Sequence, residues 1–101
     1  MSQLEILLAT IHRKDYTFLS SMNIQTDIVV ANQANENSIN FISSKNGTVK
    51  LITTTTRGVG KNRNIALTFS SAPFVLFSDD DIFYVNNYEQ IIVDAFRKIP
   101  E

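Results

Sequence analysis

The apolar positions of this chain fall into short runs separated by polar segments. Leu4 to Ala9 (LEILLA), Asp27 to Ala31 (DIVVA) and Phe74 to Phe77 (FVLF) are dense in branched or aromatic residues and too short for helices. They read as buried strands. Ile39 to Ser43 and Val49 to Thr53 flank the sequence Lys45-Asn46-Gly47, and Asn46-Gly47 predicts a hairpin turn between two strands. Ser38 to Ser44 also fits a short helix. Tyr16 to Met22 (YTFLSSM) reads as a short helical or irregular turn.

Two further segments carry helical spacing. Asn62 to Ser70 places Ile65, Ala66 and Phe69 on one face, and Pro73 stops it. From Asn87 onward, Tyr88, Ile91, Ile92, Ala95, Phe96 and Ile99 recur at helical intervals. Asn87 is placed to act as N-cap, with Gln90 three residues on. Glu89 in the first turn and Arg97 and Lys98 in the last suit the helix dipole, and Pro100 closes the segment. Strands alternating with helices predict an α/β fold, three-layered and Rossmann-like, with a mostly parallel sheet. Residues 1–101 form one domain. In such sheets ligands bind beyond the carboxyl ends of the strands. Thr10 to Asp15, Asn32 to Asn37 and Ser78 to Tyr84 are the loops expected on that edge, and the polar residues concentrate there.

Composition narrows the function classes. The chain is 44% hydrophobic and 19% charged, a globular balance rather than a disordered one. Its formal net charge of −1 gives no basic surplus for a nucleic-acid backbone, so no nucleic-acid partner is expected. With no cysteine, disulfides and thiolate metal sites are excluded. No apolar stretch approaches the roughly 20 residues of a membrane helix, and no secretory signal is visible. A cytoplasmic location is expected, with membrane association only through segments outside this chain.

Asp79, Asp80 and Asp81 stand together after the Phe74–Phe77 run. Adjacent carboxylates repel one another. On an extended segment Asp79 and Asp81 point one way and Asp80 the other. A pair converging at a strand end suits a hard cation, Mn²⁺ or Mg²⁺, which takes one or two carboxylates plus phosphate oxygens. The other reading is a solvated acidic turn with one aspartate satisfying loop N–H groups. Arg57-Gly58-Val59-Gly60-Lys61-Asn62-Arg63 precedes a helix. It is neither a Walker loop nor a dinucleotide fingerprint. It offers cations and helix N–H groups to an anion, or is an ordinary basic surface loop. His12, the sole histidine, reads as a loop residue. No nucleophile set of Ser/His/Asp type is present.

In order, ILLATIHRKDY, DIVVANQ, RGVGKNRNIAL and VLFSDDDI resemble the N-terminal half of a family 2 glycosyltransferase with the GT-A fold, over roughly Leu4 to Phe96. Ala9-Thr10-Ile11-His12-Arg13 is similar to that family's first-strand loop, A-T-x-N-R. Gly58 through Arg63-Asn64 matches G-x-x-x-x-R-N, and Asp79-Asp80-Asp81 matches the DxD motif. The resemblance implies binding of a nucleotide diphosphate sugar, UDP-linked in many members, with Mn²⁺ or Mg²⁺. Asp79 would contact the ribose or the metal and Asp81 would hold the metal. Thr10, His12 and Arg13 would lie along the nucleotide, with Asn32 and Gln33 near the base. Gly58 and Lys61 would face the diphosphate, Arg63 would lie near it or brace the aspartates, and Asp80 belongs to the same donor site. Two departures stand out: Asn32-Gln33 replaces the aspartate that reads uracil, and Ile11 replaces an aromatic residue. The family's acceptor site and catalytic base lie in a further stretch of comparable size. The chain is therefore expected to be the donor half of a longer inverting enzyme acting on a sugar or glycan acceptor, inactive alone. Its Asp79 strand would then be an exposed edge that can pair a second copy. The competing class is a metal-dependent nucleotide-binding or regulatory module without catalysis.

Overall fold

A computed structural model describes residues 2–99 of the chain. The elements in order are β1 (Leu4–Ile11), a short 3-10 helix (Thr17–Met22), β2 (Asp27–Gln33), β3 (Ser38–Ser44), β4 (Gly47–Thr54), α1 (Val59–Thr68), β5 (Phe74–Ser78) and α2 (Tyr88–Arg97). They form an α/β fold around one five-stranded sheet of order β3-β4-β2-β1-β5. β4, β2, β1 and β5 are parallel, and β3 joins β4 antiparallel. Pro100, expected to close the last helix, lies outside the described residues.

The central strands β1 and β2 are largely apolar because both faces of the sheet are covered, with Glu5, Thr10 and Asn32 as buried polar exceptions. Leu4, Ile6 and Leu8 of β1 pack with Leu19 and Met22 of the 3-10 helix and with Tyr88 and Val93 of α2. The intervening Leu7 joins Val29, Ala31 and Ile52 beneath Ala66 of α1. Period-two alternation divides each strand between the two layers.

Several expectations shift in detail. Ser38–Ser44 is a strand, not a helix. Ser44 pairs with Gly47, so the hairpin turns on Lys45-Asn46 and Gly47 begins β4. Gly47 has φ +138°, and a Cβ there would lie 2.8 Å from the Asp27 nitrogen, so only glycine fits. α1 begins at Val59, ahead of the expected Asn62. β5 is a sheet edge with β1 as its one neighbour among the described residues, as expected for the strand that leads to Asp79, but the reading of Phe74 to Phe77 as buried fails at Phe77, which is 47% exposed. Asn87 precedes α2 in a left-handed conformation and makes no side-chain cap, while Gln90 bonds Asp94. The capping box is therefore not formed. Glu89 instead accepts N–H bonds from Gln3 and Leu4, tying α2 to the start of β1. α2 buries only a narrow strip on this edge. Tyr88 and Val93 are buried, Phe96 stacks on Phe74, and Ile91 and Ile99 face outward.

Tyr88 closes the packing of α2 on the sheet. Its hydroxyl accepts the Gln25 N–H at 2.9 Å and shares a hydrogen bond with Thr26 Oγ1 at 2.7 Å. Burial raises the phenol above its ordinary value of 10.0, partly offset by those hydrogen bonds. Folding thus favours the neutral phenol. Its contribution is complete below pH 10.0 and is lost as pH rises through the raised folded value. Urea midpoints measured across that range should fall for the wild type and fall less for Tyr88→Phe, which is weaker at neutral pH because it leaves the Gln25 N–H unpaired.

Candidate functional site

Strand order reverses at β1. The chain steps outward from β1 to β2 and β4, then crosses back through α1 to β5 on the other side of β1. Ligands of open α/β sheets bind beyond the carboxyl ends at such a reversal. The ends of β1 and β5 bring together Thr10, Arg13 and Asp80. Thr10 Oγ1 donates to Asp80 Oδ2 at 2.8 Å, and Arg13 Nη2 reaches the same oxygen at 3.3 Å. Arg13 Nε donates to Thr10 Oγ1 at 3.3 Å, and its guanidinium lies over the Phe18 ring, 4.2 Å from the centroid. One carboxylate oxygen thus joins two strands that are 67 to 70 residues apart in sequence.

A buried polar row supports this cluster. Thr10, Asn32 and Thr53 are register partners on β1, β2 and β4, each no more than 4% exposed. Asn32 accepts the Arg13 N–H at 2.9 Å, donates to the Arg13 carbonyl at 2.7 Å and donates to Thr53 Oγ1 at 3.2 Å. Both of its N–H bonds are engaged, so Asn32 positions Arg13 and has no hydrogen free for a base. His12 bends the chain there with φ +55° and donates its backbone N–H to Gln33 at 2.8 Å; its side chain is exposed.

On the opposite wall, Gly58 N-caps α1 with φ +110° and no side-chain cap, leaving the first-turn N–H groups unsatisfied by side chains. Gln33 Oε1 accepts the Gly58 N–H at 3.2 Å. Lys61 is exposed, and Arg63 reaches Asp79 Oδ1 only at 3.8 Å, with both side chains largely in solvent.

The aspartates do not divide as alternation predicts. β5 ends at Ser78 and the chain turns at Asp80 and Asp81, so the strand pleat no longer sets their directions. Asp80, expected to face away, is the one held against β1. Asp81 is exposed, and among the described residues no ion pair reaches it. Among those residues no group of three or more His, Asp or Glu side chains forms a cation cage. The side-chain bonds to Asp80 among the described residues all fall on Oδ2, and Asp79 is exposed and only loosely paired with Arg63.

Between the walls lies a cavity of about 240 Å³ lined by Thr10, Ile11, Gln33, Val59, Asn62 and Asp80, together with Ala9. Asn62 is 3% exposed, and its buried Oδ1 has no hydrogen-bond partner. The sequence reading passed over Asn62, although it stands four residues before Ala66 on the inward stripe of α1, where an apolar residue is the norm. A second cavity of about 290 Å³, lined by Tyr16, Leu19, Ile24, Thr26 and Val49 among others, contains none of the predicted site residues. No helix among the described residues is long and apolar enough to cross a membrane. Comparison with protein-family models, with curated proteins and with solved structures finds no match to this chain.

Proposed function

We propose that this chain binds a nucleoside diphosphate sugar together with a divalent cation, as the donor-binding half of a family 2 glycosyltransferase with the GT-A fold. The observation that carries the reading is the Thr10–Arg13–Asp80 cluster at the strand-order reversal. It joins the two segments that resemble that family's first-strand loop and DxD motif. The uncapped first turn of α1, with Lys61 and Arg63 beside it, offers N–H groups and positive charge to a diphosphate. Mn²⁺ or Mg²⁺, when bound, would act as a Lewis acid on the diphosphate leaving group. Asp80 and Asp79 would hold it. Gln33 takes over the base-side contact expected of Asn32, whose amide is engaged.

Calorimetric titration with UDP in the presence of Mn²⁺ should give saturable heat that disappears when the metal is chelated. ADP and GDP under the same conditions define the base preference. Binding that is indifferent to metal would point to the non-catalytic nucleotide module instead. Absence of binding for every nucleoside diphosphate, with and without Mn²⁺, would remove the proposal.

A further inference from the structure

The amide of Asn62 is the one buried polar group of the switch-point cavity whose oxygen has no partner in the protein. Glu5 Oε2 shares that condition but lies outside this cavity and faces Lys50 Nζ at 3.4 Å. A buried acceptor without a partner destabilises a fold, and an apolar side chain of the same size would avoid that cost. The position is also the inward stripe of α1, above Ala66. A polar residue retained there, at the wall of a ligand-sized space, matches what a ligand would complete.

The size of the space limits what enters. At about 240 Å³ it lies below the ~300–1,000 Å³ typical of pockets for drug-sized ligands. It accommodates one ring, with the rest of a nucleotide sugar lying outside. The walls define the chemistry of that ring. Asp80 contributes a carboxylate, Asn62 an amide, and Gln33 an amide whose oxygen is already bonded to Gly58. Ala9, Ile11 and Val59 supply apolar surface. No cationic side chain lines this space, so away from the cation at Asp80 it suits a neutral ring rather than a phosphate. A hydroxyl both donates and accepts, and it satisfies a carboxylate and either end of an amide.

We propose that Asn62 is a specificity-determining residue that hydrogen-bonds a hydroxyl-bearing ring of the bound nucleotide sugar inside this cavity. The inference rests on the donor-binding reading given above. The hydroxyl belongs either to the ribose or to the transferred sugar, and the two sources are separable. The diphosphate lies at the mouth of the space, between the cation at Asp80 and Asp79 and the first turn of α1.

The test uses Asn62→Leu, close in volume and without polar atoms, and Asn62→Ala, which removes the amide without the risk of crowding the helix. Thermal unfolding without ligand and calorimetric titration with UDP, 2′-deoxy-UDP and UDP-glucose in Mn²⁺ are measured for each protein. Expected results are an unfolding midpoint for Asn62→Leu at or above that of the wild type, and binding weakened by about tenfold or more in both variants. If the ribose supplies the hydroxyl, deleting it costs affinity in the wild type and little in the variants. If the transferred sugar supplies it, the variants weaken UDP-glucose and leave UDP unchanged. Wild-type binding with unaltered affinities in both variants would overturn the role of Asn62 and leave the donor-site reading standing. A lower midpoint with unaltered affinities would identify the amide as purely structural. No binding by the wild type would remove the donor-site reading itself.

Discussion

Replacing Lys50 with alanine is expected to cause the largest stability loss of any single polar substitution in this chain, about 3–5 kcal/mol. Glu5 on β1 is fully buried, and Lys50 on β4 faces it with an Nζ–Oε2 distance of 3.4 Å and a side chain only 16% exposed. That contact is an ion pair without hydrogen-bond geometry, since Glu5 Oε2 has no bonded partner. The hydrogen bonds lie around it. Lys50 Nζ donates to the Phe69 carbonyl at 2.8 Å and to Ser71 Oγ at 3.0 Å, and Glu5 Oε1 accepts the Ser71 N–H at 2.7 Å. Removing Lys50 strands a carboxylate in a dry interior and frees the end of α1 together. For a chain of this size each kcal/mol moves the melting temperature by roughly 4–8 °C, so the shift exceeds ten degrees. Uncharging both partners as Glu5→Gln with Lys50→Met keeps the acceptor for Ser71 and should recover most of the loss. Urea denaturation of the three proteins measures this. A Lys50→Ala protein within about 0.5 kcal/mol of the wild type, a change typical of an unimportant surface site, would show that the pair contributes little. The pair also bears on the site, because it fixes the far end of the helix whose first turn lines the cavity.

The parts of this fold set by local chemistry were legible in the sequence. LEILLA and DIVVA read as strands because residues buried on both sheet faces leave an unbroken apolar run. The parallel, alternating architecture followed from their order. The neighbours of each strand were not legible in the same way. FVLF reads as buried, yet Phe77 is 47% exposed, because an apolar run does not report how much of an edge strand is covered. The same gap hid the narrow contact of α2, where Ile91 and Ile99 keep helical spacing but meet no partner. At the candidate site, the structure gives several of the named residues other contacts than alternation suggests. Alternation assigned Asp80 outward, and alternation ended one residue earlier, at Ser78. Asn32 was read as a contact to a base, and its amide proved engaged by Arg13 and Thr53, partners that only the sheet register brings near. Asn62 left a weak signal, a polar residue in an apolar stripe, which becomes meaningful once the cavity is seen.

These geometries make the three aspartates unequal, and their alanine variants should rank accordingly. Asp80→Ala is expected to weaken metal-dependent UDP binding about ten- to hundredfold, the loss of hydrogen bonds to a charged group. Its effect on stability should be small. The Arg13 and Asp80 side chains are 36% and 39% exposed, and a half-exposed pair contributes about 0–1 kcal/mol. Arg13 also keeps its stacking on Phe18 and its backbone bonds to Asn32. A fold left intact with a site disabled is the signature of a residue held for a ligand. Asp79→Ala should cost less, since Asp79 is 72% exposed and meets Arg63 only at 3.8 Å. Asp81→Ala should cost least if cation binding follows the observed geometry. The family resemblance alone makes the opposite forecast, with Asp81 as metal ligand. Titrating UDP with Mn²⁺ into the three variants, with unfolding midpoints measured alongside, separates the two. Loss of binding confined to Asp81→Ala would mean that the chain after Ser78 turns differently when the ligand is bound, and that the Thr10–Asp80 bond latches the empty site rather than forming part of the loaded one.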